Sequence, residues 1–341
     1  MTMPLIIPFF IMHRGCPHRC TFCNQQKAAG PYPEDVSEAF FRRTVMAHFQ
    51  SLKKKPEQVQ IAFYGGNFTG MVKQEQIRLL GYAKPFLEAG SVSAVRISTR
   101  PDCIDRERLD LLKRHGVKIV EIGAQSLVDA VLRRTERGHT AGDVAAAVQL
   151  LKANGFEVGV HLMAGLPGDG PEGFACSVAR TIAMQPQAVR IHPTLVFTGT
   201  PLEQDYRNGR YEPLTHDEAF GLCKSALLQF TAAGIPVIRM GLQTTPEMEK
   251  RGTVIAGPCH PAFRFLVESS ILCDRAASLL ETGDFQGKAV VFSVASREQS
   301  SLRGVRNENM RTLQERFGLS NIRISPDPAQ AAGTLQVHYD R

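Results

Sequence analysis

Three cysteines stand within eight residues at Cys16-Pro-His-Arg-Cys20-Thr-Phe-Cys23. Thiolates are soft ligands suited to iron–sulfur clusters or to zinc. A loop this short can wrap three corners of one cluster and leave a metal position open for substrate or cofactor. For zinc, His13 or His18 would supply the fourth ligand. The other five cysteines, Cys103, Cys176, Cys223, Cys259 and Cys273, are scattered, as small buried hydrophobes are and as a disulfide framework is not. Two more segments carry chemistry. The adjacent glycines of Tyr64-Gly65-Gly66-Asn67 let backbone approach a ligand closely. In Ser98-Thr99-Arg100-Pro101-Asp102, a guanidinium at a strand end can grip a carboxylate bidentately.

These segments follow short β-branched or aliphatic runs that alternate with amphipathic stretches, the rhythm of βα units around a parallel sheet. The runs predict strands over Leu5 to Met12, Val59 to Phe63, Ala94 to Ser98, Lys118 to Ile122, Glu157 to Leu162, Ala188 to His192 and Pro236 to Met240. Between them lie helices such as Gly142 to Asn154, where Val144, Val148 and Leu151 recur at helical spacing. Six or seven such units in about 240 residues predict a partial or near-complete βα barrel of TIM-like type, whose chemistry sits at the C-terminal ends of its strands. Beyond Pro246 the rhythm changes: a helix over Phe263 to Glu281, a strand over Lys288 to Val294, a helix over Gly304 to Phe317 and strands near Ile322 and Leu335. The expected organisation is a barrel over residues 1–245 and a small α+β domain over 246–341.

With 43% hydrophobic and 21% charged residues, the 341-residue chain is of ordinary globular composition, which excludes wholesale disorder and coiled-coil chains. The longest apolar stretch, Pro4 to Met12, is too short to cross a bilayer and lacks the flanks of a signal peptide, so a cytoplasmic protein without membrane association is expected. Of the net charge of +7, the part before Pro246 holds 28 basic and 22 acidic residues and the rest 12 and 11, so the basic excess belongs to the barrel. Such an excess favours polyanionic partners.

Cys-x-x-x-Cys-x-x-Cys with an aromatic residue, Phe22, before the last cysteine resembles the signature of radical S-adenosylmethionine (SAM) enzymes. The resemblance extends collinearly to one branch of that superfamily, that of the Elongator catalytic subunit and its bacterial relatives. It runs through Thr99-Arg100-Pro101-Asp102, Glu121-Ile-Gly-Ala-Gln125-Ser126, Arg137-Gly138-His139-Thr140, His161-Leu-Met-Ala-Gly165-Leu166-Pro167-Gly168 and His192-Pro193-Thr194-Leu195. It implies a 4Fe-4S cluster on Cys16, Cys20 and Cys23, whose open iron chelates SAM, and a 5'-deoxyadenosyl radical released on reduction. It also implies a one-electron reductase or reduced flavodoxin or ferredoxin as partner. The cofactor would meet Gly65 and Gly66 at its amino group, with Asn67 where the family often has Glu. Arg100 would meet its carboxylate, Glu121, Gln125 and Ser126 its ribose, and Gly165 and Leu166 its adenine. Phe22 and Ser98 belong to the same cofactor-binding set. His139 and His161 read as capping or core histidines.

After Gln243 the resemblance weakens, and the acyl-coenzyme A loop pattern of Elongator-type acetyltransferase domains is missing, so acetyl transfer is not expected. The tail is more similar to the small C-terminal domain of bacterial radical proteins. In it Cys259, within the tight Gly257–Phe263 loop, reads as an inert thiol, and Arg303, Arg306, Arg311 and Arg316 read as a solvated helix face. Were tRNA or another nucleic acid bound, Lys53 to Lys55, Arg14, Arg19 and Lys27 would be equally good phosphate contacts. Two substrate classes stand open, nucleic acid and a small molecule or peptide. Two other functions compete: a zinc-stabilised RNA-binding protein without catalysis, and a coproporphyrinogen-oxidase-like radical enzyme.

Overall fold

The seven expected strands form as Leu5–Phe10 (β1), Val59–Tyr64 (β2), Ala94–Thr99 (β3), Val117–Gln125 (β4), Glu157–Ala164 (β5), Ala188–Pro193 (β6) and Val237–Met240 (β7). The computed structural model describes residues 4–30, 32–52 and 56–340. All seven strands pair in parallel in chain order, and among the described residues β1 and β7 do not meet, so the barrel is open. Pro8, which cannot donate to a ladder, is tolerated because β1 is an edge strand. The helices Glu38–Ser51 (α1), Lys73–Glu88 (α2), Arg106–Arg114 (α3), Ala141–Ala153 (α4), Pro171–Met184 (α5) and His216–Ala232 (α6) follow the first six strands in turn. Their starts are fixed locally. Asp105 accepts the Arg108 N–H, and the pairs Thr140/Asp143 and Thr215/Glu218 form reciprocal capping boxes.

The two faces of the sheet differ in chemistry. Ile7, Phe9, Ile61, Phe63, Val95, Ile97, Val120 and Ile122 are 0% exposed on the helix-covered face, and burying each stabilises by about 1.5–3 kcal/mol. The alternate positions carry polar groups. Glu121 is ion-paired to Arg96 at 2.6 Å and to Arg190 at 2.8 Å. It also accepts the Tyr64 hydroxyl at 3.0 Å, and Gln60 accepts from Arg96 at 2.8 Å. Arg190 donates to the Tyr64 hydroxyl at 2.6 Å, although three strands separate β2 from β6. On a flat sheet those strands would lie about 19 Å apart, at about 4.8 Å per strand. The bond therefore crosses the concave interior of a curled sheet. Glu121, expected at the cofactor ribose, has both oxygens ion-paired to guanidinium groups of this interior layer.

The chain divides into two compact units, Met1–Cys259 and His260–Arg341. The division falls beyond the expected boundary at 245 because the intervening residues join the barrel. The strand Val254–Ala256 pairs antiparallel with Val196–Phe197, and Lys27 is ion-paired to Glu247 at 2.9 Å. The second unit holds Phe263–Glu281 (α7), Ala289–Ala295 (β8), Gln299–Arg303 (α8), Glu308–Phe317 (α9), Asn321–Asp327 (β9) and Leu335–Tyr339 (β10). Its sheet has the order β9-β8-β10, with β9 parallel and β10 antiparallel to β8. Val290, Phe292 and Val294 pack there against Leu272, Leu280, Leu302, Leu313 and Leu319. The helix expected from Gly304 begins only at Glu308, because Gly304, Arg306 and Asn307 have φ of 74°, 50° and 61° and cannot continue a right-handed helix.

Glu121→Gln leaves the buried Arg96 and the partly buried Arg190 guanidinium groups without their counter-charge, so urea unfolding should show a loss of about 3–5 kcal/mol. Unchanged stability would overturn the structural role of these ion pairs.

Candidate active site

The cysteine loop leaves β1 at Ile11 and is bound at once to the loop after β2. Ile11 N–H donates to Tyr64 O at 2.7 Å and His13 N–H to Gly65 O at 2.8 Å. Asn67 completes the junction: its N–H donates to Arg14 O at 2.9 Å, and its Nδ2 to Gly15 O at 2.6 Å. Its Oδ1 accepts from Thr99 Oγ1 at 2.6 Å and from Arg100 N–H at 3.1 Å, so one fully buried amide joins the ends of β1, β2 and β3. Asn67, which stands in the cofactor-binding set where the family often has Glu, has its side-chain amide engaged within the protein. Gly66 serves the same junction, since a Cβ there would lie 2.8 Å from Arg14 O and 2.9 Å from Ile11 Cγ1. The paired glycines admit the cysteine loop itself.

Cys20, Cys23, Phe22 and Leu166 share one apolar cluster with Val131, Val196 and Tyr211. Burial, then the charge of Cys20, raises the Cys16 thiol above its ordinary range, while Arg100 and Arg137 oppose the rise. Burial, then the charges of Cys20 and Cys16, pushes Cys23 up to about 12. The three thiols therefore sit in one another's fields. Among the described residues, no three thiol, imidazole or carboxylate groups are drawn into metal-binding contact. Arg137 Nη1 donates to Cys20 Sγ at 2.9 Å while its Nη2 donates to Gly123 O at 2.6 Å, fastening the cysteine loop to β4. Arg137 lay within a recognised motif, but its thiol partner is 117 residues away in the chain and left no mark there. Cys103, likewise unassigned, receives Asn67 Nδ2 at 3.2 Å. His13 Nε2 faces the Gln25 N–H at 3.2 Å, which commits the imidazole that a zinc site would need. His18 packs against Gly138.

At the neighbouring strand ends, Arg100 is held bidentately by Asp102, with both bonds at 2.9 Å, and its Nη1 is buried without a partner. Gln125, in a left-handed conformation at φ 68°, buries an unpartnered Oε1, and its Nε2 lies 3.1 Å from where a Gly123 Cβ would be. Burial, then the Arg137 and Arg100 charges, lowers His139 to about 4; its Nε2 lies 3.3 Å from Ala124 O and its Nδ1 has no partner. Ser98 is half-buried on β3. Ser126 is turned to structure: its Oγ accepts the Val128 N–H at 3.1 Å and lies 3.3 Å from Ser177 Oγ. Gly165 O accepts the Tyr211 hydroxyl at 2.7 Å. Deeper in the barrel, His161 and His192 meet edge to face at 4.3 Å. Of the expected phosphate contacts, Arg14 pairs with Asp35 and Glu75, Lys27 pairs with Glu247, and Lys53 to Lys55 lie outside the described residues.

Asp169, after β5, buries both carboxylate oxygens without a partner, and burial raises it from 3.8 to about 7. The folded state thus holds a proton that the unfolded chain releases, and this contribution to stability falls as pH rises from about 4 through 7. Asp169→Asn should raise the melting temperature at pH 8 and leave it nearly unchanged at pH 4.

Residues 10–175 match the Radical SAM superfamily and residues 186–272 the Radical SAM C-terminal domain. The chain is 28% identical over 256 residues to the tRNA uridine(34) acetyltransferase of Dehalococcoides mccartyi, covering 65% of this chain and 56% of that protein. It is 38% identical over 125 residues to Elongator complex protein 3 of Schizosaccharomyces pombe, covering 36% and 23%. It thus spans about half of the first relative's length and about a quarter of the second's. In structure it resembles Elp3 of Methanocaldococcus infernus with a TM-score of 0.61 at 21% identity, over 81% of this chain and 64% of that one, a likeness of fold. Among the described residues no helix is long and apolar enough to cross a membrane. The chain belongs to the radical SAM superfamily, enzymes that work with a 4Fe-4S cluster and S-adenosylmethionine.

Proposed function

We propose that Cys16, Cys20 and Cys23 hold the 4Fe-4S cluster and that the surrounding strand ends bind SAM for reductive cleavage. The observation that carries this reading is the thiol loop, fastened to β2 and β3 by Asn67 and to β4 by Arg137. When bound and reduced by one electron from a flavodoxin- or ferredoxin-type donor, the cluster supplies cleavage of the SAM sulfonium to methionine and a 5'-deoxyadenosyl radical, which abstracts hydrogen from the substrate. The chain's own residues prepare for this. Arg137 donates to a ligand sulfur, which tunes the reduction potential. The orphaned Arg100 Nη1 and Gln125 Oε1 are a buried donor and a buried acceptor still free for the cofactor's carboxylate and hydroxyls. Phe22 and Leu166 exclude water beside Cys20 and Cys23. His139, held neutral, brings no further charge to the thiols.

Nucleic acid is the substrate class supported by the relative named as a tRNA uridine(34) acetyltransferase. The basic excess of the barrel agrees with it.

Anaerobic reconstitution should give about four irons and four sulfides per chain, and dithionite with SAM should release 5'-deoxyadenosine. Replacing all three loop cysteines by Ala should abolish both and leave the circular dichroism of the barrel in place. A colourless protein with one zinc would establish the zinc reading instead.

A further inference from the structure

The break in the expected helix of the second unit coincides with an exposed basic segment. Residues 303–311 read Arg-Gly-Val-Arg-Asn-Glu-Asn-Met-Arg, three guanidinium groups against the one carboxylate of Glu308. Arg316, further along α9, is ion-paired to Glu281 at 2.6 Å. The side chains of Arg303, Arg306 and Arg311 are exposed and make no hydrogen bond or ion pair among the described residues. The helical rise of about 1.5 Å per residue keeps Arg311 within one turn of the loop.

The segment is built rather than slack. Asn309 Nδ2 donates to Ser269 Oγ at 2.9 Å, to Leu302 O at 3.1 Å and to Ser301 O at 3.2 Å, locking the end of α8 against the start of α9. A Cβ on Gly304 would lie 2.8 Å from Asn309 Cγ, so the loop closes on a glycine. Arg306 and Asn307 are both held at positive φ, a strain that a rigid scaffold maintains at an exposed tip. Val305, 43% exposed, projects beside them. KH modules clamp four backbone nucleotides on a Gly-x-x-Gly loop of the same length. Here the loop is Gly304-Val305-Arg306-Asn307, and Asn307 takes the left-handed conformation at the place of the second glycine. The superfamily match ends at residue 272 and does not reach this segment.

We infer that residues 303–311 form a backbone clamp for single-stranded RNA, with Arg303, Arg306 and Arg311 on phosphates and Val305 against a base or sugar. Charge complementarity selects a polyanion, and preformed backbone with an apolar tip suits an unpaired strand better than a duplex. The inference rests on the nucleic-acid substrate class proposed above.

The test is fluorescence anisotropy of a labelled 20-nucleotide oligouridylate with the full-length reconstituted protein between 50 and 300 mM salt. Arg303→Glu/Arg306→Glu should weaken binding at 50 mM salt about tenfold or more, and Arg303→Gln/Arg306→Gln should lower the log–log salt slope by about 1.4, at about 0.7 per phosphate. Arg323→Gln, on the sheet face that turns away from the helices, should bind as wild type. No binding at 50 mM salt, wild-type binding by both double variants, or equal displacement by polyglutamate overturns the clamp. SAM cleavage by the wild-type protein without RNA is measured alongside. Cleavage without RNA binding sinks the clamp alone, and clamp-dependent RNA binding without cleavage sinks the reaction proposed above alone.

Discussion

One carboxylate, Glu121, holds the barrel in its curved form. It is buried at 4% exposure between two guanidinium groups and a phenol drawn from β2, β3 and β6. Charges taken from water need close partners; Arg96 comes from the adjacent strand β3, while Tyr64 on β2 and Arg190 on β6 reach Glu121 and each other only because the sheet curls. The polar interior therefore works with the apolar exterior: burial on the helix side drives the sheet together, and ion pairing on the concave side sets its curvature. This is why the strands alternate polar and apolar residues, where parallel strands covered on both faces run apolar throughout.

Curvature brings the strand ends to one mouth, and two side chains convert that proximity into a defined site. Asn67 satisfies donors and acceptors from three successive strand ends, and Arg137 ties the thiol loop to the fourth. Each does so while fully or nearly buried, where a missing bond would cost about 1–3 kcal/mol. The cysteine loop is thereby positioned by the Asn67 contacts to the Arg14 and Gly15 carbonyls, which do not involve the thiols, and by the Arg137 bond to Cys20 Sγ, which does. What stays unspent at the mouth, one Arg100 nitrogen and the Gln125 carbonyl oxygen, is the polar capacity a bound molecule can use.

Much of this was legible in the sequence, and the rest was hidden for definite reasons. Seven strands and their order followed from local periodicity, and the thiol loop followed from spacing alone, because both signals lie within a few residues. The fates of Glu121, Asn67 and Ser126 did not. Each is an ordinary polar residue at or near a strand end, and whether it meets a ligand or another side chain depends on side-chain partners 25 to 69 residues away. The α8–α9 loop escaped because Arg306 and Asn307 at positive φ leave no periodic signature. Gly304 alone reads as well for a helix start as for a turn.

In the proposed function the pinned thiol loop carries a cluster with one iron open to SAM. Electron paramagnetic resonance of the dithionite-reduced, reconstituted protein tests it directly, with SAM labelled with nitrogen-15 at its amino group. The expected spectrum is that of a reduced 4Fe-4S cluster that changes on adding SAM, with a resolved nitrogen-15 coupling. A cluster spectrum that SAM leaves unchanged would contradict it.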